Sequence, residues 1–277
     1  MDKTKKILTK CLIYFVELFV IVISVFPILW VIACAFKTNG EILSTPLALP
    51  KSFSMDTFVY LFKTYNFPRY FLNSLIAAGV STLASLFFYA MSAYVLAKYQ
   101  FPGRSLIFIL FTITLLVPGH SKTQPIFSLI MNLGLYDNLW GVTLVYLSSG
   151  IAMSIFVLRA GFMAIPKALD EAATIDGAGF FRTFWTINMP LATSALSTAG
   201  ILMFLGNWNE YYFASLLTLT DSQRTLPIAL SFFTSEFSYN YTNLFAALAI
   251  VILPGILLYV CAQEQVQASV AATGVKG

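Results

Sequence analysis

The chain of 277 residues is 58% hydrophobic and only 10% charged, more apolar side chain than one soluble core of that length can take out of water. This excludes a soluble domain and predicts an all-α integral membrane protein, because a bilayer core of about 30 Å takes roughly 20 apolar residues per helical span. The formal net charge of +4 is small, and its placement along the chain says more than its size.

Residues 1–13 carry Lys3, Lys5, Lys6 and Lys10 ahead of a first apolar run at 14–36. The run is too long for a signal peptide, lacks a small-residue cleavage site and is followed by further runs, so it is expected to be a retained anchor. Glu17 is expected to snorkel to the inner interface. A second run, 72–97, repeats Ala77, Ala78, Ser81, Ala84, Ser85, Ser92 and Ala93 near helical spacing. Small side chains let helix backbones approach closely in lipid, which reads as a packing face; a lining for a translocation path is the other reading.

The third run, 106–117, has 12 residues before Pro118-Gly119, about 18 Å of helix, too short to cross. It is expected to kink at the proline and continue, facing protein or a cavity where the freed carbonyl finds a partner. His120 follows, the only histidine. Beside Ser121 it suggests a hydrolytic pair, but adjacent residues rarely align as nucleophile and base, and no Gly-x-Ser-x-Gly or second base accompanies them. A helix-end histidine is the expectation.

The fourth run is 139–158, and 161–189 then forms a mostly polar loop. Pro166 suits a first helical turn, Asp170 and Glu171 lie early, and Gly177 and Gly179 stop the helix. Ala168, Leu169, Ala172, Ala173 and Ile175 give that helix a low-relief apolar surface. A helix merely lying at the headgroups would want a basic face, which is missing here. A second amphipathic stretch, 180–187, returns the chain to a fifth run at 191–213, with Pro190 at its start. Near that run's outer end stand Asn207, Trp208, Asn209 and Glu210. An indole between amides suits sugar hydroxyls and C–H faces, while an interfacial tryptophan anchor is the plainer reading. A charge at that depth must face protein or water.

The sixth run is 244–262, leaving a tail at 263–277. Six spans place both ends on one side together with the 161–189 loop, and 10 of the 16 Lys+Arg fall there. That bias puts both termini in the cytoplasm. Cys11, Cys34 and Cys261 lie inside apolar runs with no metal-ligand spacing and read as small hydrophobes. No Gly-x-x-x-x-Gly-Lys-Ser/Thr loop occurs, so any nucleotide binds another polypeptide.

The polar loop reads Glu171-Ala172-Ala173, three residues, Gly177, nine residues, Ile187, one residue, Met189-Pro190. This spacing resembles the EAA loop of bacterial ABC-importer permeases, with Met189 where leucine is common. Further segments resemble the carbohydrate branch of that family, the second membrane subunit of maltose-type importers: Tyr70-Phe71-Leu72-Asn73-Ser74, Leu133-Gly134-Leu135-Tyr136-Asp137-Asn138, Asn207-Trp208-Asn209-Glu210, Thr225-Leu226-Pro227 and the ending Thr273-Gly274-Val275-Lys276-Gly277.

The resemblance implies a type I importer fold, six transmembrane helices over 14–262 with a cytoplasmic coupling helix, in a bacterial cytoplasmic membrane. It implies a non-catalytic permease that pairs with a homologous permease, two copies of a cytoplasmic ATPase and an extracytoplasmic solute-binding protein, carrying a carbohydrate among membrane lipids, without cofactor, metal or nucleic acid. Glu171, Ala172, Ala173, Asp176 and Gly177 become the ATPase-coupling residues, and Asn207, Trp208, Asn209 and Glu210 the substrate pathway. The outer segment 216–238 is expected to probe the binding protein, and the tail to reach the ATPase dimer. An ion-coupled secondary transporter is the alternative; it needs buried carboxylates or an internal repeat, and only Glu210 qualifies. A membrane-embedded enzyme lacks any HExxH, carboxylate pair or triad spacing.

Overall fold

A computed structural model describes residues 2–233 and 239–274. In chain order its helices are α1 (Asp2–Cys34), α2 (Asn39–Ser44), α3 (Asp56–Thr64), α4 (Phe67–Lys98), α5 (Arg104–Ile113), α6 (Thr123–Asn132), α7 (Leu139–Leu147) and α8 (Ile151–Ala164). There follow α9 (Lys167–Ile175), α10 (Phe180–Thr183), α11 (Met189–Leu191), α12 (Thr193–Trp208), α13 (Tyr212–Leu217), α14 (Leu226–Leu230) and α15 (Tyr241–Gly274). Among the described residues three helices are long and apolar enough to cross a bilayer alone, over Ile7–Cys34, Phe67–Lys98 and Tyr241–Cys261. Three bent pairs qualify together, which allows up to six crossings.

The chain divides into two units. One comprises Met1–Asn66 with Ala229–Leu253. Within it α1 shows apolar side chains outward along most of its length, as a lipid-immersed helix does. The chain after α1 is tied back by Trp30, whose indole N–H donates to the Pro46 carbonyl at 2.8 Å. Lys37, 1% exposed, donates to the carbonyls of Thr45 at 3.1 Å and Pro46 at 3.0 Å. Thr38 and Glu41 form a reciprocal capping box at the start of α2. The Thr38 backbone N–H first, then its hydroxyl, hold the Glu41 carboxyl below its ordinary pKa.

The other unit, Phe67–Ile228 with Pro254–Gly277, is built around α4, which packs against α7, α8 and α12. Its small-residue stripe makes this possible: Ala77, Ala78, Ser81, Ser85 and Ala93 are fully buried, so the packing reading of the stripe holds. In lipid, close contact and not water expulsion draws helices together. The same device recurs where Gly161 of α8 meets Ala195 of α12; a Cβ added at Gly161 would strike the Ala195 methyl.

Three runs differ in shape from their sequence expectation. The third breaks at Val117–Pro118 as the proline predicts, but the arms Arg104–Leu116 and Gly119–Asn132 meet at 104°. The second arm therefore turns across the first and adds no depth along it. The fourth run reaches Ala164 and is broken by 48° between Leu147 and Ile151, where Gly150 adopts φ +68°, a left-handed conformation open to glycine. The carbonyl freed at Leu147 is satisfied by α4, from the Ser85 hydroxyl at 2.6 Å and the Tyr89 phenol at 2.8 Å. The fifth run starts after an 80° bend between Phe180–Leu191 and Thr193–Trp208; its helix ends at Trp208, short of Phe213.

Candidate functional site

Two assemblies in the second unit hold the residues singled out by sequence. At the Lys98 end of α4, Pro166 precedes α9 with extended backbone (φ −57°, ψ 134°), its missing N–H costing nothing at a helix start. The other end of α9 is closed by a Schellman motif. Gly177 sits at φ +78°, its N–H donating to the Thr174 carbonyl at 3.0 Å while Ala178 N–H reaches Ala173 at 2.8 Å.

The nine-residue helix presents two faces. Asp170 and Ala173 turn inward, Ala173 being 5% exposed. Glu171, Ala172, Asp176 and Gly177 face out, together with Ile175 at 87% exposure. Of the five sequence-predicted coupling residues, four are accessible and Ala173 packs inside.

Two side chains given no site role from the sequence, Lys98 and Asn188, hold this helix in place through Asp170. Asp170 lies 2.8 Å from the Lys98 ammonium, which also donates to the Ile165 carbonyl at 2.8 Å. The second carboxylate oxygen of Asp170 accepts from the Asn188 amide at 2.6 Å. Asn188 ends a π-helical turn, Phe184–Asn188, the wider winding that marks many functional segments. Tyr94 of α4 packs its ring on Phe162, Phe180 and Phe184 at 5.2–5.6 Å between centroids. The one signal in the sequence was Lys98 itself, a lone charge closing a long apolar helix.

Near the Phe67 end of α4, three of the motifs singled out in the sequence meet. Asn73 of the Tyr70–Ser74 motif donates to the carbonyls of Ser222 at 2.9 Å and Arg224 at 2.8 Å, and Ser74 accepts from Leu226 N–H at 2.8 Å. Asp137, in the second motif, sits at φ +53°, a region asparagine and aspartate visit more readily than other side chains. Its carboxylate accepts from the N–H groups of Leu219 at 2.7 Å and Thr220 at 2.9 Å and from the Thr220 hydroxyl at 2.7 Å. The Thr220 and Leu219 N–H groups, in that order, draw its pKa below the ordinary carboxylate value. Gln223 in turn accepts from Leu139 N–H at 2.9 Å.

The Asn207–Glu210 cluster is less open than an indole between amides suggests. Trp208 is 1% exposed, stacked on Phe204 and edge-on to Phe71, and Asn207 donates to the Ser81 hydroxyl at 3.0 Å. Glu210 caps α13, accepting from the N–H groups of Phe213 at 2.8 Å and Ala214 at 3.0 Å and from the Tyr146 phenol at 3.0 Å. Asn209 alone of the four is exposed. Beneath them lies a cavity of about 220 Å³ lined by Ser149, Gly150, Met153, Ser154, Met203 and Gly206 among others. His120 is exposed, 4.4 Å from the Tyr212 ring. Among the described residues no three His, Cys, Asp or Glu side chains gather as a metal site would require. Positions 234–238 of the expected outer segment and 275–277 of the tail lie outside the described residues.

Residues 87–271 match the family described as "Binding-protein-dependent transport system inner membrane component". The chain is 33% identical to the diacetylchitobiose uptake system permease of Streptomyces coelicolor, over 90% of this chain and 83% of that protein. It is 33% identical to an arabinooligosaccharides transport system permease of Bacillus subtilis, over 91% and 90% of the two. Identity to the trehalose/maltose transport system permease of Thermococcus litoralis is 29%, over 99% of each. A chain from the crystal structure of a bacterial ABC transporter involved in importing the acidic polysaccharide alginate superposes with a TM-score of 0.81 at 22% identity, covering 95% of this chain and 98% of that one. This last likeness concerns the fold.

Proposed function

This chain belongs to the family of binding-protein-dependent transport system inner membrane components, and from that premise we propose how its parts work. It is a membrane-embedded permease of a carbohydrate ABC importer with no catalytic role of its own. A homologous permease completes the translocation path, two copies of a cytoplasmic ATPase drive it, and an extracytoplasmic binding protein delivers the sugar. Both termini and α9 face the cytoplasm. The cargo is an oligosaccharide of the kind named for its relatives.

The exposed face of α9 carries this reading. Glu171, Ala172, Ile175 and Asp176 stand free on a helix whose opposite face is fixed to the bundle, which is the form of a handle. Glu171 offers a charge-assisted contact to a basic group on the ATPase, and Gly177 lets the chain leave the helix sharply. Closure of the ATPase dimer on ATP draws the two coupling helices together and turns the cavity outward, and hydrolysis resets it, a rigid-body switch. Asn209 and the cavity below it line the path; Asn207, Trp208 and Glu210 shape its wall from behind.

The test is co-expression with the genes flanking this one, affinity purification, and uptake of radiolabelled diacetylchitobiose, arabino-oligosaccharides, maltose and trehalose. Native protein should bring down an ATPase and accumulate one of these sugars. Glu171→Lys should insert normally yet lose both. Unimpaired uptake by that variant would remove the coupling assignment.

A further inference from the structure

We propose that Lys98, Asp170 and Asn188 form a stiff joint through which α9 drives α4, making Lys98 a positioning residue for transport; this rests on the function proposed above. The covalent links of α9 are irregular stretches of backbone at 165–166 and 176–179, which transmit force along the chain but resist little across it. Beside the packing of Ala173, the polar lateral restraint comes from one carboxylate. Asp170 binds the last residue of α4 on one oxygen and the π-helical turn leading to α12 on the other.

Several features mark this contact as built. The Lys98 side chain is 5% exposed and stands at the C-terminus of α4, where the helix dipole favours a cation. Asn188 is fully buried and donates to Asp170 and to the Thr183 carbonyl. Its own Oδ1 is left buried without a hydrogen-bond partner, a cost that selection tolerates where geometry matters. For stability alone an apolar trio of the same volume would serve as well or better. What an ion pair with one directed hydrogen bond, from the Asn188 amide to Asp170, adds is one fixed orientation.

That orientation matters because α4 packs against α7, α8 and α12. A helix locked to α4 moves the bundle's centre and not one strand of it. Consecutive carboxylates on α9 thus divide the labour: Glu171 faces the engine outside, and Asp170 faces the joint within.

The test uses the complete complex with Cys11, Cys34 and Cys261 replaced by serine. Spin labels are placed at Lys167→Cys, on α9 but outside its docking face, and at Phe88→Cys, both exposed positions. In the native joint the label distance should be narrow and unmoved by trapping with ATP and vanadate. In Lys98→Met it should broaden and shift on trapping, while ATP hydrolysis persists and sugar carried per ATP falls about tenfold, the scale of a coupling between sites. Lys98→Arg should restore both readouts. Should Lys98→Met insert poorly, Asp170→Asn takes the same measurements. Native distances and native coupling in both variants would overturn the joint. If the native complex shows no ATP-dependent uptake, the proposed function fails instead; the nucleotide-free distances then decide the joint, broadening in Lys98→Met supporting it and identity overturning it.

Discussion

A single side chain shows how much one carboxylate can organise. Asp137 accepts three hydrogen bonds from Leu219 and Thr220 while its own N–H donates to the Leu217 carbonyl at 2.8 Å. Hydrogen bonds to a charged group contribute about 1.5–3 kcal/mol each, less where water competes. Asp137→Ala should therefore speed amide exchange at Leu219 and Thr220 by about tenfold or more, measured by hydrogen–deuterium exchange. Asp137→Asn should do less, since its carbonyl still accepts from both N–H groups. Because the folded-state pKa lies below the ordinary value, the pinning is whole at neutral pH. It is lost as pH falls past the free-carboxylate range and through the depressed value. Exchange protection at these two amides should fall over that acid window in the native chain and stay flat across it in Asp137→Asn.

Elements whose ends are written in local chemistry were legible from the sequence. Pro166, Gly177 and Pro118 each act on their own backbone, and α9 and the third-run break fall where these residues place them. Elements decided by distant partners were not. The break at Gly150 is stable because Ser85 and Tyr89 of another helix satisfy Leu147, and no window around residue 150 contains them. Trp208 reads as a sugar contact or an interfacial anchor, and no window around it contains Phe71, whose ring packs edge-on to it. Glu210 reads as a pathway charge, and its capping of α13 was not legible. Asp170 differs from Glu171 by one position in sequence and by a whole face in space. The Schellman turn gives a direct check. Gly177→Ala forces a Cβ into left-handed backbone at about 1–2 kcal/mol, and Gly177→Asn costs less because asparagine tolerates that region. With nothing within 4 Å of a Cβ there, crowding adds nothing. Uptake should fall severalfold in the alanine variant and less in the asparagine one at equal expression.

At the scale of the molecule, the division of work follows from what the chain contains. It has an exposed α9 face, a buried ion pair beneath it and a cavity, and its sequence carries no phosphate loop. Proteoliposomes holding this polypeptide alone should show no ATP-driven accumulation of any sugar in the panel. Adding the partner permease, the ATPase and the binding protein should establish it. Accumulation by the lone chain under an ion gradient would favour a secondary transporter. The membrane class was legible from composition alone; the family required the spacing of the 171–190 motif and segments scattered over the chain. Why those segments go together was not legible until Asn73, Ser74 and Asp137 came within hydrogen-bonding reach of one stretch of backbone, 219–226.

The outward-facing first helix has a consequence for how such a protein is made. Ile7–Cys34 is apolar over 28 residues, and none of its most apolar window is buried inside the chain. It asks nothing of later segments to be content in lipid. It can leave the ribosome and partition into the bilayer before the unit built around α4 has been translated.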